Sequence, residues 1–492
     1  MSGLILSIDQ GTSGTKAILF DRAGRPKAKG SVALASIFPQ PGYVEQDPEA
    51  IYRNVIDAVR ACFKAYGETP DIVACGISNQ RETFVLWDRE GKPLNNAVVW
   101  QCKRSTGICE ALKGTSLEAD IRARTGLIID PYFSGSKVIW LNRNEPAIAE
   151  AIRKGDAFFG TIDSWLTYRL TGGKSHVCDI TNACRTLFFN LHTLEWDRGL
   201  LEQMGLSGLN LPALVRSAAR VGETDLDGLI EAPVPITGMI GDSHAAAFGE
   251  GCLVPGSAKV TMGTGSSILM NVGSKPAPAE NGMVSTICWA TGDRVDYALE
   301  GIIVSCGATI QWLRDQIGLF SDSSETEAMA MQVKDNGGVY VVPAFSGLGA
   351  PYWRMDAKAM ISGLTFGSNR NHIVRAALES VIFQIKDVVD AMSEACGVPL
   401  AKINADGGMV KNRLVLQSLS DLLGCPVETT DFEDISALGA AYMAGLGVGL
   451  YADLDDLPDH GETTTLTKPA AANDPLLAAH KNWKDLILST YC

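Results

Sequence analysis

Two stretches of the chain, about half its length apart, share one pattern, and that repetition constrains the fold more than any other feature. Leu4–Phe20 has an apolar run, a turn of Asp9, Gln10, Gly11, Thr12, Ser13, Gly14 and Thr15, then a returning run from Lys16. Lys259–Asn271 repeats it, with Gly263, Thr264, Gly265, Ser266 and Ser267 at the turn. Each stretch predicts a β-hairpin whose glycine-rich tip supplies positive φ and exposed N–H groups. A pattern that returns at this separation predicts two copies of one architecture. The length agrees, since 492 residues exceed what one ordinary core encloses.

Between and after the hairpins the apolar periodicity alternates between strand and helix. Ile51–Tyr66 is amphipathic at helical spacing, while Ile72–Ser78 and Ala97–Trp100 are short apolar runs. In the second half Val339–Ala344 and Ile403–Asp406 predict strands, and Asn371–Ala395 and Asn412–Leu423 predict helices. Ala437–Leu446 is a helix of small residues, suited to close packing on a sheet, and the Gly445–Gly449 run ends it. This alternation implies an α/β protein with a mixed sheet in each half. The boundary is placed in Phe248–Gly256, which divides the chain into domains 1–247 and 248–492. The acidic, Thr/Pro/Ala-rich tail from Asp453 ends in a short apolar helix, Leu476–Ser489.

Composition excludes several classes. Apolar residues make up 46% and charged residues 20%, as in a globular chain. A net charge of -14 is the wrong sign for a nucleic-acid partner, but it leaves a local nucleotide site open. The start, Met1 to Asp9, lacks a basic segment, so no export signal is expected. No run approaches the twenty apolar residues of a membrane span. Twelve cysteines without CxxC pairs are expected as reduced, mostly buried thiols in a cytoplasmic protein. Six scattered histidines lack metal-binding spacing.

The chemistry concentrates where strands meet glycine turns. A strand ending in Asp9 and running into a Gly/Thr/Ser turn sets a carboxylate beside N–H donors, which together suit phosphate oxygens and Mg²⁺. Lys16 begins the returning strand, in reach of a phosphate as a point charge; the spacing is not that of a Walker A loop. Asp242 follows the apolar run from Ile236, with Gly241 allowing close approach. Spacing leaves two roles open for it, an N-cap of the helix from His244 or a general base for an attacking hydroxyl. Arg81-Glu82, directly after a strand, has the ordinary meaning of a surface ion pair. Ser134-Gly-Ser-Lys137 matches SxxK without the companion motifs of serine acyl-enzymes.

Longer segments carry a family resemblance. Ser78–Thr83, Ala97–Cys102, Thr125–Gly135, Phe159–Trp165, Gln311–Asp315, Pro343–Trp353 and Asp406–Gly408 resemble the FGGY carbohydrate kinases over essentially the whole length. The similarity is greatest to members that phosphorylate glycerol. The resemblance implies two ribonuclease-H-like, actin-type ATPase domains closing on a central cleft, with ATP and Mg²⁺ as cofactors and a homodimer as the family expectation. It implies polyol contacts from Arg81, Glu82, Trp100, Tyr132, Asp242 and Ser243, with Asp242 as base. The first phosphate loop would comprise Asp9, Gln10, Gly11, Thr12, Ser13 and Lys16, and the second Gly263, Thr264 and Gly265. Gly307, Gln311, Gly408 and Asn412 match the adenine and ribose side, and Asp9 and Asp242 are the candidate carboxylates for Mg²⁺.

Three positions depart from the glycerol-specific pattern: Ser243 replaces Gln, Ser267 replaces Phe, and Lys16 replaces Arg. Two serines enlarge the pocket and make it more polar, which raises a four- or five-carbon polyol as an alternative substrate. A catalytically silent polyol sensor is the third reading, and retention of Asp9, Asp242 and both hairpins argues against it.

Overall fold

The computed structural model describes residues 3–292, 294–458, 464–470 and 474–491. Both hairpins form. Leu4–Gln10 pairs antiparallel with Gly14–Phe20, and Ser257–Met262 pairs antiparallel with Ser266–Gly273. Each hairpin lies inside a larger sheet. The first sheet runs Gly222–Thr224, Val234–Gly241, Ile72–Asn79, Leu4–Gln10, Gly14–Phe20, Pro26–Ala33. The second runs Val284–Thr291, Arg294–Ile303, Ser266–Gly273, Ser257–Met262, Lys402–Asp406, Val427–Thr430, Thr464–Thr467.

The duplication extends beyond the hairpins. Three antiparallel strands in the first sheet and four in the second precede two more that continue in parallel from the first hairpin strand: Ile72–Asn79 and Val234–Gly241 in one, Lys402–Asp406 and Val427–Thr430 in the other. This is the ribonuclease-H-like order in duplicate. Parallel strands buried on both faces require continuous apolar runs, and Ile5, Leu6, Ile8, Ala74, Cys75 and Ile77 are all fully buried.

Helix Pro48–Tyr66 starts at an Asp47 cap with proline in its first turn and lays its apolar stripe on the first sheet. The other face of that sheet is covered by helix Ile435–Gly447, contributed by the second half of the sequence. Small residues allow this approach. A Cβ at Gly439 would lie 1.9 Å from the Ala245 carbonyl oxygen, and one at Gly76 would lie 2.3 Å from that of Ala440. One apolar cluster therefore joins Ile5, Ile18 and Ile240 to Leu438, Ala441 and Tyr442.

Three expectations are adjusted. Ala97–Trp100 is a strand only over Ala97–Val98, because the chain turns outward to present Trp100. Asp242 is the first residue of helix Asp242–Gly249 and Gly241 is its N-cap, so Asp242 does not cap a helix from His244. The tail contributes an unanticipated edge strand, Thr464–Thr467, before helix Asp474–Tyr491. All described cysteines are free thiols and all but Cys396 are buried. Among the described residues no helix is long and apolar enough to cross a membrane.

Candidate active site

Asp242 owes its position to a relay of short side chains. The Asp179 carboxylate accepts from the Thr181 N–H at 2.9 Å and from the Thr181 hydroxyl. Thr181 Oγ1 in turn accepts from the Gly241 N–H at 2.9 Å, which pins the strand end immediately before Asp242. The Asp242 carboxylate accepts from the Ser243 N–H at 2.7 Å and faces the Arg81 Nε at 3.4 Å. Burial pushes the Asp242 carboxyl up, and Arg81 and the Ser243 N–H offset only part of this. Its side chain remains 39% exposed, so it is reachable from the cleft.

Arg81 and Glu82 are not a surface pair. Both are buried, and each pairs with a partner remote in sequence. Arg81 Nη2 donates to Glu300 Oε1 at 2.8 Å, and Arg185 Nε donates to Glu82 Oε1 at 2.6 Å. Arg185 Nη2 lies 2.6 Å from Glu300 Oε2, which closes an alternating row of two arginines and two glutamates. Burial alone would raise the Glu300 carboxyl; Arg185 and Arg81 outweigh it and hold Glu300 well below the usual carboxylate range. Glu82 has φ of 61°, a left-handed conformation that a non-glycine residue holds only when its surroundings enforce it. Here Ser134 Oγ donates to the Glu82 carbonyl at 2.8 Å.

The Ser134–Lys137 motif thus serves the site structurally. Lys137 is fully buried and its ammonium group donates to the carbonyls of Pro131 at 2.6 Å and Tyr132 at 2.7 Å, fixing the turn that carries Tyr132. The Tyr132 and Trp100 rings meet edge to face at 5.5 Å. Trp100 Nε1 donates to Thr12 Oγ1 at 2.9 Å, so the aromatic wall is tied to the first hairpin tip.

These groups line a cleft of about 1270 Å³ between the two sheets. Thr12, Arg81, Glu82, Trp100, Tyr132, Asp242 and Ser243 come from the first half; Gly265, Ser267, Glu300 and Gly408 come from the second. Lys259 and Asp406 also line it, 3.5 Å apart. A neighbouring cavity of about 590 Å³ gathers Gly263, Thr264, Gly307, Gln311, Gly408 and Asn412. The second hairpin tip stands at the junction, with Gly263 and Thr264 on one side and Gly265 on the other. Glycine is required at position 307, where the N–H bonds the Gly263 carbonyl at 2.8 Å and a Cβ would lie 2.7 Å from that oxygen. This contact sets the N-terminus of helix Gly307–Asp315 beside the tip, an arrangement that favours anions.

The remaining first-loop residues sit outside both cavity linings. Gln10 is buried beneath the tip, where its side chain meets Gln80 at 3.2 Å, and Gly11 closes the turn by donating its N–H to Gly14 at 2.9 Å. Ser13 is exposed. The Lys16 ammonium pairs with Asp434 at 2.8 Å, together with Lys29 at 2.7 Å. Asp9 accepts from Ser78 Oγ at 2.9 Å, and burial raises its carboxyl to about 6 against that bond, with Asp242 adding like-charge repulsion.

Sequence reasoning missed Arg185, Lys259 and Glu300. The available signal was a charge inside an apolar run, as in Tyr297-Ala-Leu-Glu300-Gly-Ile-Ile and Ala258-Lys259-Val. A lone charge in a buried strand needs a partner, and here the partners come from distant segments.

Two hairpin domains facing each other across a cleft that joins two cavities are the architecture of a two-domain kinase. The N-terminal domain of the FGGY family of carbohydrate kinases matches residues 4–249 and its C-terminal domain matches residues 258–448. The chain belongs to the FGGY family of carbohydrate kinases. It is 45% identical to a glycerol kinase of Symbiobacterium thermophilum over 484 residues, covering 98% of this chain and 97% of that one. Its structure superimposes on Plasmodium falciparum glycerol kinase with ADP at a TM-score of 0.93 and 33% identity, covering 100% of this chain and 98% of the other. Xylulose kinase from Rhodospirillum rubrum shares the fold at a TM-score of 0.89 with 21% identity, over 99% and 98% of the two chains.

Proposed function

We propose that this kinase transfers the γ-phosphoryl group of ATP to a terminal hydroxyl of glycerol, giving glycerol 3-phosphate and ADP, and that it acts in the cytoplasm. The observation that carries this reading is Arg81. Its guanidinium is 6% exposed, and Nη1 is buried without a hydrogen-bond partner in the protein while Nε faces Asp242. A buried donor left unpaired is costly, and a hydroxyl in the cleft satisfies it. Trp100 and Tyr132 cover the carbon chain, and Asp242 accepts the proton of the attacking hydroxyl. That oxygen bonds to the γ-phosphorus as the bridging bond to ADP breaks, a reaction that depends on positioning and charge. Both names of glycerol kinases among the relatives support the substrate.

On this reading the phosphates lie along Gly263, Thr264 and Gly265 and the nucleoside in the cavity of Gly307, Gln311, Gly408 and Asn412. Thr12 and its loop face the phosphates from the other side. Asp9 and Asp242 fit Mg²⁺: burial and mutual repulsion raise the Asp9 carboxyl to about 6, so a cation nearby relieves both. No group of three acidic, His or Cys ligands occurs among the described residues, which agrees with an ion held largely by phosphate and water. When bound, Mg²⁺ neutralises phosphate charge during transfer.

An ADP-release assay tests the reading. Asp242→Asn is expected to lower kcat by about 10²- to 10⁴-fold, with glycerol binding measured by calorimetry largely retained. Unchanged turnover would remove Asp242 from the mechanism, and polyol binding without ADP release in the parent protein would make the chain a sensor. A second reading, a four- or five-carbon polyol, is favoured by Ser243 and Ser267, which both line the cleft as small polar groups. Comparing kcat/KM for glycerol, erythritol, threitol and xylitol separates the two. Glycerol should lead by at least about tenfold, or about 1.4 kcal/mol; a smaller margin favours the longer polyol.

A further inference from the structure

We propose that Glu300 is a positioning residue for polyol recognition, aiming Arg81 from the second domain and registering it against the second phosphate hairpin. The inference rests on the proposed polyol kinase reading. Glu300 lies on strand Arg294–Ile303 of the second sheet, whereas Arg81 follows strand Ile72–Asn79 of the first. The two are 219 residues apart in sequence, yet Glu300 makes the tighter of the two acidic contacts of Arg81, 2.8 Å against 3.4 Å to Asp242. A guanidinium is a rigid planar fork. With Nη2 held by Glu300 and Nε beside Asp242, the direction of the remaining nitrogen, Nη1, is determined, and Nη1 is the one without a protein partner.

The other contacts of Glu300 extend the alignment. Its Oε1 also accepts from Ser267 Oγ at 3.3 Å, and Ser267 lies two residues beyond the tip at Gly265. Its Oε2 faces Arg185, which holds Glu82. One side chain thus joins the arginine and glutamate of the polyol wall to the strand that presents the phosphate loop. A buried ion pair is poor evidence of stabilisation, because desolvation offsets its attraction. What four interlocked charges do provide is direction, and the residue so directed lines the cleft.

Glu300→Gln tests this in the full chain, since it keeps the shape and an acceptor while removing the charge. The polyol KM is expected to rise about 10- to 100-fold, the range for losing a charge-assisted hydrogen bond, with the ATP KM changed by less than about twofold. In an Arg81→Ala background only the Arg185–Glu82 contact is left to respond, so adding Glu300→Gln should change the polyol KM by far less than it does in the parent protein. A merely structural role would instead lower the melting temperature while leaving the polyol KM of the folded fraction unchanged, and that result overturns the proposal. So would full additivity of the two substitutions. Should Glu300→Gln fail to fold, Glu300→Asp keeps the charge but withdraws it by one methylene, and an unchanged polyol KM there is equally fatal. Absence of polyol-dependent ADP release in the parent protein would overturn the kinase reading itself, whereas normal parent turnover with an unaltered KM in the Glu300 variants would overturn this inference alone.

Discussion

Asp9, proposed above as a carboxylate for Mg²⁺, carries a cost to the fold. Its folded carboxyl titrates near 6 rather than at the ordinary 3.8, with burial as the largest cause. A carboxyl raised in this way binds its proton more tightly folded than unfolded. The folded state is therefore favoured at low pH and loses that advantage as pH rises through about 6. Asp9→Asn should accordingly stabilise the protein by about 1–3 kcal/mol at pH 8 and by almost nothing at pH 4. Urea unfolding at the two pH values checks this, and equal effects at both would rule it out. Much of the proposed residue-level site rests on resemblance: from pattern alone, a helix cap is the stronger reading of Asp242 and a general base the weaker. Arg81-Glu82 looked like a solvated pair because adjacency along the chain was the only relation on view. Their true partners are Glu300 and Arg185, and nothing local in the sequence announces such distant pairings.

Among the elements, helix Ile435–Gly447 does the most to hold the site in place. It packs against helix Asp242–Gly249, whose first residue is Asp242, and the closest approach is at Gly439, where a Cβ would lie 1.9 Å from the Ala245 carbonyl oxygen. Gly439→Ala must push the two helices apart, and overpacking of this kind costs about 1–3 kcal/mol. The same displacement moves Asp242, so kcat/KM should fall along with the melting temperature; an unchanged melting temperature would show that the helices separate freely. The small-residue composition of this helix predicted close packing on a sheet. It could not say which sheet, because glycine and alanine permit an approach without specifying a partner. Strand Thr464–Thr467 escaped notice for a related reason, since an exposed edge strand of threonines carries little apolar alternation.

For the molecule as a whole, the repeated hairpins made the architecture legible: each sheet sets a hairpin beside two parallel strands, and the cleft is lined from both halves. The halves nevertheless share part of their core. Ile5, Ile18, Ala74 and Ile240 of the first half share one buried cluster with Leu438, Ala441 and Tyr442 of the second. Residues 1–249 expressed alone should be insoluble or lack a cooperative melting transition, and should recover both solubility and activity when co-expressed with residues 250–492. A well-folded isolated first half would contradict this. The shared cluster also bears on biosynthesis. The ribosome delivers the first sheet early, but roughly 200 residues separate the end of the Asp242 helix from the helix that covers it, about 10–40 s of translation at usual rates. Throughout that interval the nascent chain carries an open apolar face. Slow elongation over the second half prolongs its exposure to chaperones and to other nascent chains, so yield on overexpression should depend on translation speed there more than on the stability of the finished enzyme.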